Sequence, residues 1–398
     1  MRQRVVIVGI GYTSRIGIIR AVAQIGCEVV VVALENASKR PVDTYSKYID
    51  DTIRFPQRNG GEALVQMLLK RCVGGDGKAI LIPNCDFAVA TIDRHHDLLN
   101  PHFHIPNIGH RQGALVEWMN KERQKALASH LGIDVVPSTN IKIQEGSYEL
   151  PTGIRYPCFT KTRAYTPGYK STLHRCDNEQ ELCQALGRIA ESLPNLTIMC
   201  EDYKEIDTEY AIVGFSDGNE VVIPGVIEML KMTEGSDKGV AMQGSIGPVG
   251  ALQPFIEKLS CFVREVGLVG LFDIDFFLSG GKYYFDELNL RIGGSATAIQ
   301  QMGVNLPGML VKTLRGEDTD GMKKKINSTS IFANERTCTE HWSDGFTPTS
   351  EYLRLLNTAD IRFLDNDDDP EPSKVFHRRQ RMMLLRRNIK QLLSWIRL

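Results

Sequence analysis

Two aromatic runs with a period of two residues, 270–277 and 283–290, constrain this chain more than any other feature of its sequence. The short segment between them contains Gly280 and Gly281. Alternating runs joined by a Gly-Gly pair are typical of a β-hairpin. The sequence therefore predicts an antiparallel pair of strands here, with a polar residue at every second position on one face.

The polar positions of this hairpin carry acidic side chains. If the turn centres on Gly281, Asp275 faces Glu287 and Asp273 faces Asn289. Like charges that face each other on a sheet repel. A cation between the oxygen atoms would relieve the repulsion, and carboxylate and amide ligands suit Mg²⁺ that carries substrate phosphates. The alternative on these runs alone is a solvated hairpin whose acids alternate outward.

The composition describes a globular protein of more than one domain. The chain has 398 residues, 42% of them hydrophobic, which is enough for two or three domains. A net charge of -1 indicates no nucleic-acid partner. Nine cysteines without a C-x-x-C pair favour reduced thiols in a cytoplasmic protein. We expect no signal peptide and no membrane span.

The first forty residues predict a β-α-β unit. An apolar strand at 5–8 is followed by Gly9, Gly11 and Gly17, a helical stretch and a second apolar strand at 29–32. Such runs favour a buried parallel sheet. The glycine spacing is longer than that of a dinucleotide-binding G-x-G-x-x-G motif. A tight strand-to-helix turn is therefore favoured over a bound cofactor.

The second hairpin strand continues into Glu287-x-Asn289-x-Arg291, followed by Gly293-Gly294. Together with Asp275, this segment resembles the metal-binding hairpin of the ATP-grasp superfamily. The resemblance implies that Asp275, Glu287 and Asn289 hold Mg²⁺ or Mn²⁺. It also implies that Arg291 contacts the transferred phosphate or an acyl phosphate.

Further segments resemble the superfamily in the order in which its motifs occur, between about residues 5 and 315. They imply that Lys121 and Lys161 contact the ATP phosphates, and that Lys161 takes part in catalysis with Arg291. They imply an adenine site at Glu201 and the backbone of Asp202, Tyr203 and Lys204, and a ribose contact at Glu209. A solvated surface lysine is the commoner fate of any single lysine such as Lys121.

Two departures from the family pattern are visible. Asn120 stands where an aspartate is usual before Lys121, and only Gly168 remains in the lid loop, 162–170, which commonly holds several glycines. Arg163 and Lys170 are candidates to replace the missing backbone contacts in that loop.

The resemblance implies an α/β protein with the ATP-grasp fold and an N-terminal Rossmann-like domain. The implied domains are the Rossmann-like domain at 1–113, the small lid subdomain at 114–204 and the subdomain with the metal hairpin at 205–363. The expected activity is ATP-dependent ligation of small-molecule carboxylate and amine substrates through an acyl phosphate. The alternative is a nucleotide-binding or regulatory protein that has lost turnover. A biotin-type carboxylase is less favoured because the chain has no Met-Lys-Met carrier segment.

The C-terminal residues differ in character from the rest. Residues 364–372 predict an acidic, proline-broken linker with nothing to bury. Residues 373–398 carry eight basic side chains and an apolar repeat that ends near Trp395, which predicts a basic amphipathic helix. Such a helix either docks on the protein or lies on an anionic membrane, where it would suit an acceptor on a lipid-linked glycan or cell-wall precursor.

Overall fold

The computed structural model describes residues 2–36, 39–75, 77–166, 169–234 and 239–396, and it describes side chains there except at 12, 169, 170 and 386–396. Within these ranges the chain forms three β-sheets, of five, five and ten strands. None of the helices in these ranges combines the length and apolar character that crossing a lipid bilayer requires.

The first sheet is parallel and has helices on both faces. In chain order its elements are β1 (Arg4–Gly9), α1 (Tyr12–Gln24), β2 (Glu28–Ala33), β3 (Asp51–Arg54), α2 (Gly61–Arg71), β4 (Ala79–Pro83), α3 (Asp86–Arg94), α4 (His96–Leu99) and β5 (Phe103–His104). The strand order is β3-β2-β1-β4-β5. The four residues from Val5 to Val8 are fully buried, because side chains alternate between two apolar cores. The predicted β-α-β unit is confirmed.

The second sheet is antiparallel and small. A connecting segment supplies β6 (Asn107–Ile108), α5 (Ala114–Trp118), α6 (Lys121–His130) and β7 (Asp134–Val135). The sheet itself consists of β8 (Ser138–Gln144), β9 (Ser147–Tyr148), β10 (Cys158–Thr162), β11 (His174–Cys176) and β12 (Leu196–Asp202), with α7 (Glu179–Ser192) on one face. Its order is β11-β10-β12-β8-β9.

The third sheet contains the predicted hairpin, which lies next to the edge strand β7. Its elements are β13 (Thr208–Asp217), β14 (Val221–Val222), β15 (Val226–Met232), β16 (Ala241–Gly247), α8 (Gln253–Val266), β17 (Leu268–Ser279), β18 (Lys282–Asn289), α9 (Ala296–Gln301), α10 (Leu306–Leu314), β19 (Ser330–Ala333), α11 (Glu335–Ser343), α12 (Thr349–Asn357), β20 (Ile361–Arg362) and α13 (Glu371–Ile396). The order is β20-β19-β16-β15-β13-β17-β18-β7, with β14 beside β13 and β6 beside β17.

One apolar core joins the first sheet to the third. The helices α9 and α10 contribute Ile299 and Leu310 to a cluster that also contains Ile82 of β4 and Phe215 of β13. The sequence predicts a helical stretch here that is interrupted near Pro307. The structure confirms the interruption: α9 ends at Gln301 and α10 begins at Leu306, with Pro307 in its first turn, where proline is well tolerated. The shared core fixes the carboxyl ends of β1 and β4 close to the end of β18.

The acidic C-terminal segment is buried in part, so the expectation that it has nothing to bury is wrong. Asp369 is 0% exposed, and its Oδ2 accepts a hydrogen bond from Nε of Arg20 on α1 at 3.1 Å. The same guanidinium donates to the backbone oxygens of Phe363 and Leu364, at 2.9 Å each. A buried arginine therefore holds this segment against the first sheet.

The start of α13 docks on the protein. Phe376 packs with Val42 and Leu364, and Gln380 donates a hydrogen bond to the Tyr352 hydroxyl. The further side chains of the predicted amphipathic helix, from residue 386 onward, lie outside the described side chains. The docking alternative therefore holds for the first turns of this helix.

We expect Asp369→Ala to destabilise the protein by about 3–5 kcal/mol, because it leaves the buried Arg20 guanidinium without its counter-ion. Thermal unfolding followed by calorimetry would measure the loss. Asp368→Ala is the matched control: Asp368 is exposed, so its removal should shift the transition little. Equal shifts for the two variants would contradict a structural role of the buried pair.

Candidate active site

The hairpin turn is formed by two glycines rather than one. Gly280 and Gly281 have φ angles of 54° and 77°, a left-handed conformation that glycine adopts readily. Ser279 therefore pairs with Lys282, and the same register continues as far as Phe276. Continued without change, this register would place Asp275 opposite Asp286.

A β-bulge changes the register at this point. Asp275 pairs with Glu287 and Asp273 pairs with Asn289, so the two predicted pairings are confirmed. The expectation that the turn centres on Gly281 is wrong. Asp286 is an extra residue in β18, and it restores the predicted pairing of Asp275 with Glu287. A bulge re-aims side chains near functional sites. Here it lets Asp286 contact Lys161 while Glu287 contacts Lys121.

Lys161 occupies the centre of a buried ion network. Its Nζ lies 2.7 Å from Oδ1 of Asp286 and 2.9 Å from Oε1 of Glu201. Burial alone would lower the pKa of Lys161, but these two carboxylates outweigh it and raise the pKa. Burial alone would raise the pKa of Asp286, but the ammonium groups of Lys161 and Lys121 lower it to about 2.

Lys125 is a second partner of Glu201. Its Nζ contacts Oε1 of Glu201 and donates to the backbone oxygen of Val136 at 2.7 Å. Burial lowers the pKa of Lys125, and the nearby charge of Lys161 also lowers it. Glu201 thus contacts two buried ammonium groups, and its ion pair with Lys125 holds β12 against α6.

The predicted metal ligands form an acidic group at the end of the hairpin that lies away from its turn. Nδ2 of Asn289 donates to Oδ2 of Asp275 at 3.1 Å, and Lys121 contacts Oε2 of Glu287. Burial raises the pKa of Asp275 well above its ordinary value, and the charges of Asp273 and Glu287 raise it further. Burial raises the pKa of Asp273 to about 6, although Arg291 acts against it.

These residues fit a divalent cation by their chemistry. The described part of the chain contains no group of three His, Cys, Asp or Glu side chains that could hold a metal by themselves. The predicted set is instead two facing carboxylates and one amide, all hard oxygen donors. Oδ1 of the neighbouring Asp273 is buried without a hydrogen-bond partner. A cation here would offset a negative charge that the protein itself compensates only in part.

Arg291 leaves the hairpin and reaches the first sheet. Its Nε lies 3.0 Å from Oδ1 of Asp86, in the first turn of α3. Burial alone would lower the pKa of Arg291, but Asp86 and Asp273 raise it. Asp86, Arg291, Lys121 and Glu287 line one cleft, together with Met119 and Tyr165. The cleft therefore joins the predicted phosphate and metal residues to the end of the first sheet.

The residues predicted for the nucleoside lie along β12 and β13. Glu201 is buried behind Lys161, whereas the side chain of Asp202 is turned to Arg155, at 2.5 Å. The backbone N–H of Tyr203 already donates to Pro157 at 2.9 Å. This N–H is therefore engaged within the protein, and the backbone contact with adenine stays a prediction.

Lys204 and Glu209 lie at the same end of the site. The ammonium of Lys204 is 5.5 Å from the ring centre of Tyr284. Burial raises the pKa of Glu209, and Asp286 raises it further, which places this carboxylate near the buried network.

Only part of the lid loop can be described. Arg163 contacts Glu122 of α6 at 3.4 Å, and its backbone oxygen accepts from Lys121 N–H at 2.8 Å. Gly168 and the side chain of Lys170 lie outside the described residues. The replacement of backbone contacts by Arg163 and Lys170 stays a prediction.

Three residues of the site were missed by the sequence analysis. Lys125 carried a signal, since it lies four residues after Lys121 on one helical face. Asp86 also carried a signal, because it is the first charged residue after a buried parallel strand. Asp286 carried none, because strict alternation places it on the opposite face from Glu287.

No protein-family model matches the chain. The chain is 22% identical over 203 residues to the carbamoyl phosphate synthase large chain of Gemmatimonas aurantiaca. This match covers 50% of the chain and 18% of the relative, so the chain spans less than a fifth of that relative's length.

Two solved structures share the architecture. The biotin carboxylase domain of Hydrogenobacter thermophilus 2-oxoglutarate carboxylase, in complex with MgADP, ADP and bicarbonate, gives a TM-score of 0.63 at 18% identity over 83% of this chain and 74% of that one. An ADP complex of PurK, N5-carboxyaminoimidazole ribonucleotide synthetase, gives 0.65 at 15% identity over 90% of this chain and 86% of that one.

The chain has the ATP-grasp fold. This confirms the predicted α/β fold class, and identities this low establish the fold alone. The described cleft lies between the second sheet, which carries Lys161 and Glu201, and the β17–β18 hairpin of the third sheet.

We expect Asp275→Asn to raise the thermal stability of the metal-free protein by up to about 1 kcal/mol, because it relieves repulsion and can still accept from Asn289. It should also abolish stabilisation by Mg²⁺ with nucleotide. Glu287→Gln should instead lower stability, by about 1–3 kcal/mol, because Lys121 loses its charged partner. Scanning calorimetry with and without Mg²⁺ would compare them. A decrease for both variants in metal-free buffer would contradict the assigned charge balance.

Proposed function

We propose that this protein is an ATP-dependent ligase that joins a carboxylate to an amine through an acyl phosphate and releases ADP and phosphate. The observation that carries the proposal is the arrangement of charge at the cleft. Lys121 of α6 and Glu287 of the β17–β18 hairpin line the cleft with Arg291, and Lys161 of β10 contacts Asp286 of the same hairpin in the buried ion network. Phosphoryl transfer needs this kind of positioning and charge neutralisation more than it needs acid-base groups.

The proposed roles follow from the contacts. Asp275, Glu287 and Asn289 would hold Mg²⁺ or Mn²⁺, which neutralises charge on the phosphates when bound. Lys121 and Lys161 would then turn from their carboxylate partners toward the phosphates. Glu201 and Asp286 neutralise Lys161 in the free protein, so that its buried charge is tolerated without nucleotide.

For the nucleoside we propose the region around Glu201, with the backbone of Asp202 to Lys204 for adenine and Glu209 for the ribose hydroxyls. A carboxylate that accepts from two neighbouring hydroxyl groups is a suitable ribose contact. The substrates are small molecules, one with a carboxylate and one with an amine.

The second candidate is a nucleotide-binding protein without turnover. The sequence features that favour it are the glycine-poor lid loop and the replacement of aspartate by Asn120. In the structure Asn120 caps α6, where its side-chain oxygen accepts from the N–H groups of Glu122 and Arg123. Asparagine and aspartate fill this capping role equally well, so the replacement is no sign of lost activity.

We expect the protein to bind ATP in the presence of Mg²⁺, and to form ADP only when a suitable carboxylate and amine are present. Lys161→Ala should weaken nucleotide binding by about tenfold to a hundredfold, because it removes a charged contact. Lys142→Ala, an exposed lysine of the same sheet, is the control. Titration calorimetry measures binding, and a coupled assay measures ADP with carboxylates that include bicarbonate.

Absence of Mg²⁺-dependent nucleotide binding by the wild-type protein would overturn the proposal. Binding without ADP formation, against panels of carboxylates and amines, would favour the second candidate instead.

We also propose that the end of α13 attaches the protein to an anionic membrane. Met382 and Leu385 are 47% and 61% exposed, and the basic residues Arg378 and Arg381 each lie four residues, about one turn, before one of them. Cations beside exposed apolar side chains suit an anionic lipid surface. Attachment there would fit an acceptor carried on a lipid-linked glycan or cell-wall precursor.

Sedimentation with anionic liposomes tests this attachment. A cut at Asp369 would also remove the buried ion pair with Arg20, so we place the cut after Leu385, which removes four basic residues. The full chain should sediment with anionic vesicles, less so at high salt, and the shortened chain should sediment weakly because each lost cation removes about 1 kcal/mol. Equal sedimentation of the two chains, or equal sedimentation with neutral vesicles, would contradict the electrostatic attachment.

A further inference from the structure

The contact between Arg291 and Asp86 lies at the point where the strand order of the first sheet reverses. The chain moves from β1 to β2 and β3 on one side and then returns to β4 on the other. Ligands of open parallel sheets bind in the crevice at the carboxyl ends of such strands. Asp86 begins α3, and only Asn84 and Cys85 separate it from the end of β4, so its carboxylate stands at the mouth of this crevice.

The crevice has rigid walls. Asn84, after β4, donates through Nδ2 to the backbone oxygen of Ile10 and to the hydroxyl of Ser14, at 3.1 and 3.0 Å. A side chain at Gly9 would place its Cβ 1.6 Å from Oδ1 of Asn84. The segments that follow β1 and β4 therefore approach each other as closely as glycine allows. On the other side, the Thr297 hydroxyl donates to the backbone oxygen of Thr13. Asp86 is therefore held in place relative to Arg291.

The ion pair leaves polar atoms available to a ligand. Among the described residues, the contact joins Nε of Arg291 to Oδ1 of Asp86. The terminal amino groups of the guanidinium and Oδ2 of the carboxylate have no hydrogen bond to other described residues. The two side chains are 22% and 25% exposed and line the cleft. A ligand in the cleft therefore meets one positive and one negative group side by side.

The position of the pair relative to the hairpin orients such a ligand. Arg291 follows Asn289 by two residues, so its guanidinium lies next to the proposed metal and phosphate site. Asp86 approaches the same guanidinium from the side of the first sheet. A ligand carboxylate bound to Arg291 would consequently be the group that is phosphorylated. A positively charged group of the same ligand, bound to Asp86, would lie on the side toward the first sheet.

We propose that the carboxylate substrate is an α-amino acid whose carboxylate binds Arg291 and whose ammonium binds Asp86. This inference rests on the proposed function and names the substrate class of that site. The opposite charges of Arg291 and Asp86 are in direct contact, so they match a ligand whose own two charges are equally close. In an α-amino acid a single carbon atom separates the carboxylate from the ammonium group. Met119 and Tyr165, which line the same cleft, would lie beside its side chain.

The proposed reaction has two steps. A carboxylate oxygen of the amino acid attacks the γ-phosphorus, the bond to the bridging oxygen breaks, and ADP leaves with the electron pair. The amine of the second substrate attacks the carbonyl carbon, phosphate leaves with the electron pair of the C–O bond, and the new amide nitrogen loses one proton to solvent. The ion pair with Asp86 keeps the amino acid's own nitrogen protonated, so that this nitrogen is not the nucleophile.

The test measures binding to the full chain by titration calorimetry, in the presence of Mg²⁺ and a non-hydrolysable ATP analogue. The probes are the standard protein amino acids, their des-amino carboxylic acids, ω-amino acids of similar size, and bicarbonate. We expect at least one α-amino acid to bind about tenfold to a hundredfold more tightly than its des-amino analogue, because only the amino acid satisfies Asp86.

Two variants separate recognition from positioning. Asp86→Asn should reduce the preference for the amino acid over its des-amino analogue and leave binding of the nucleotide analogue unchanged. Asp97→Asn, at an exposed aspartate of the neighbouring α4, should change neither. If Asp86→Asn weakens binding of the amino acid and of its des-amino analogue equally, Asp86 only positions Arg291, and the inference is overturned.

Two other outcomes also overturn the inference. One is binding of bicarbonate or a des-amino acid at least as tight as that of every α-amino acid, and the other is no binding of any amino acid. In either case normal binding of the nucleotide analogue would leave the proposed function standing. Failure of that analogue to bind the wild-type protein would instead mark failure of the proposed function.

Discussion

The site depends on a balance between negative charge on one hairpin and positive charge from the elements around it. Four acidic side chains of β17 and β18 lie close together, and burial would raise the pKa of each one. The cations that oppose them come from α6, from β10 and from the residues after β18. The acidic residues are Asp273, Asp275, Asp286 and Glu287, and the cations are Lys121, Lys125, Lys161 and Arg291. Because a buried charge without a partner is costly, these contacts hold the second sheet, the hairpin and the first sheet in one arrangement.

The balance is uneven along the hairpin. Asp286 and Glu287 contact ammonium groups, and both have lowered pKa values. Asp275, one step away across the ladder, has an amide as its partner and a raised pKa. The charge that the protein leaves uncompensated is therefore concentrated beside Asp275. This is where a divalent cation would gain most, and where the proposed phosphates would meet the lysines.

The sequence by itself determined the local features of this protein. Continuous apolar runs specified the buried parallel strands, and period-two aromatic runs around a Gly-Gly pair specified the hairpin. The pairings of Asp275 with Glu287 and of Asp273 with Asn289 were also predictable, although the turn is formed by Gly280 and Gly281 together and does not centre on Gly281. The ordered lysine and carboxylate motifs were enough to predict the fold, because motif order survives even where identity is low.

Only the tertiary structure decided the rest. The bulge that brings Asp286 to Lys161 cannot be seen in a strict alternation, since one extra residue in a ladder has no compositional signature. The contact of Arg291 with Asp86 joins residues 205 positions apart, and it depends on how α9 and α10 pack the first sheet against the third. Burial of Asp369 required a guanidinium from α1 that no local pattern announces. Long-range packing chooses such partners, whereas periodicity reports only which face of an element is apolar.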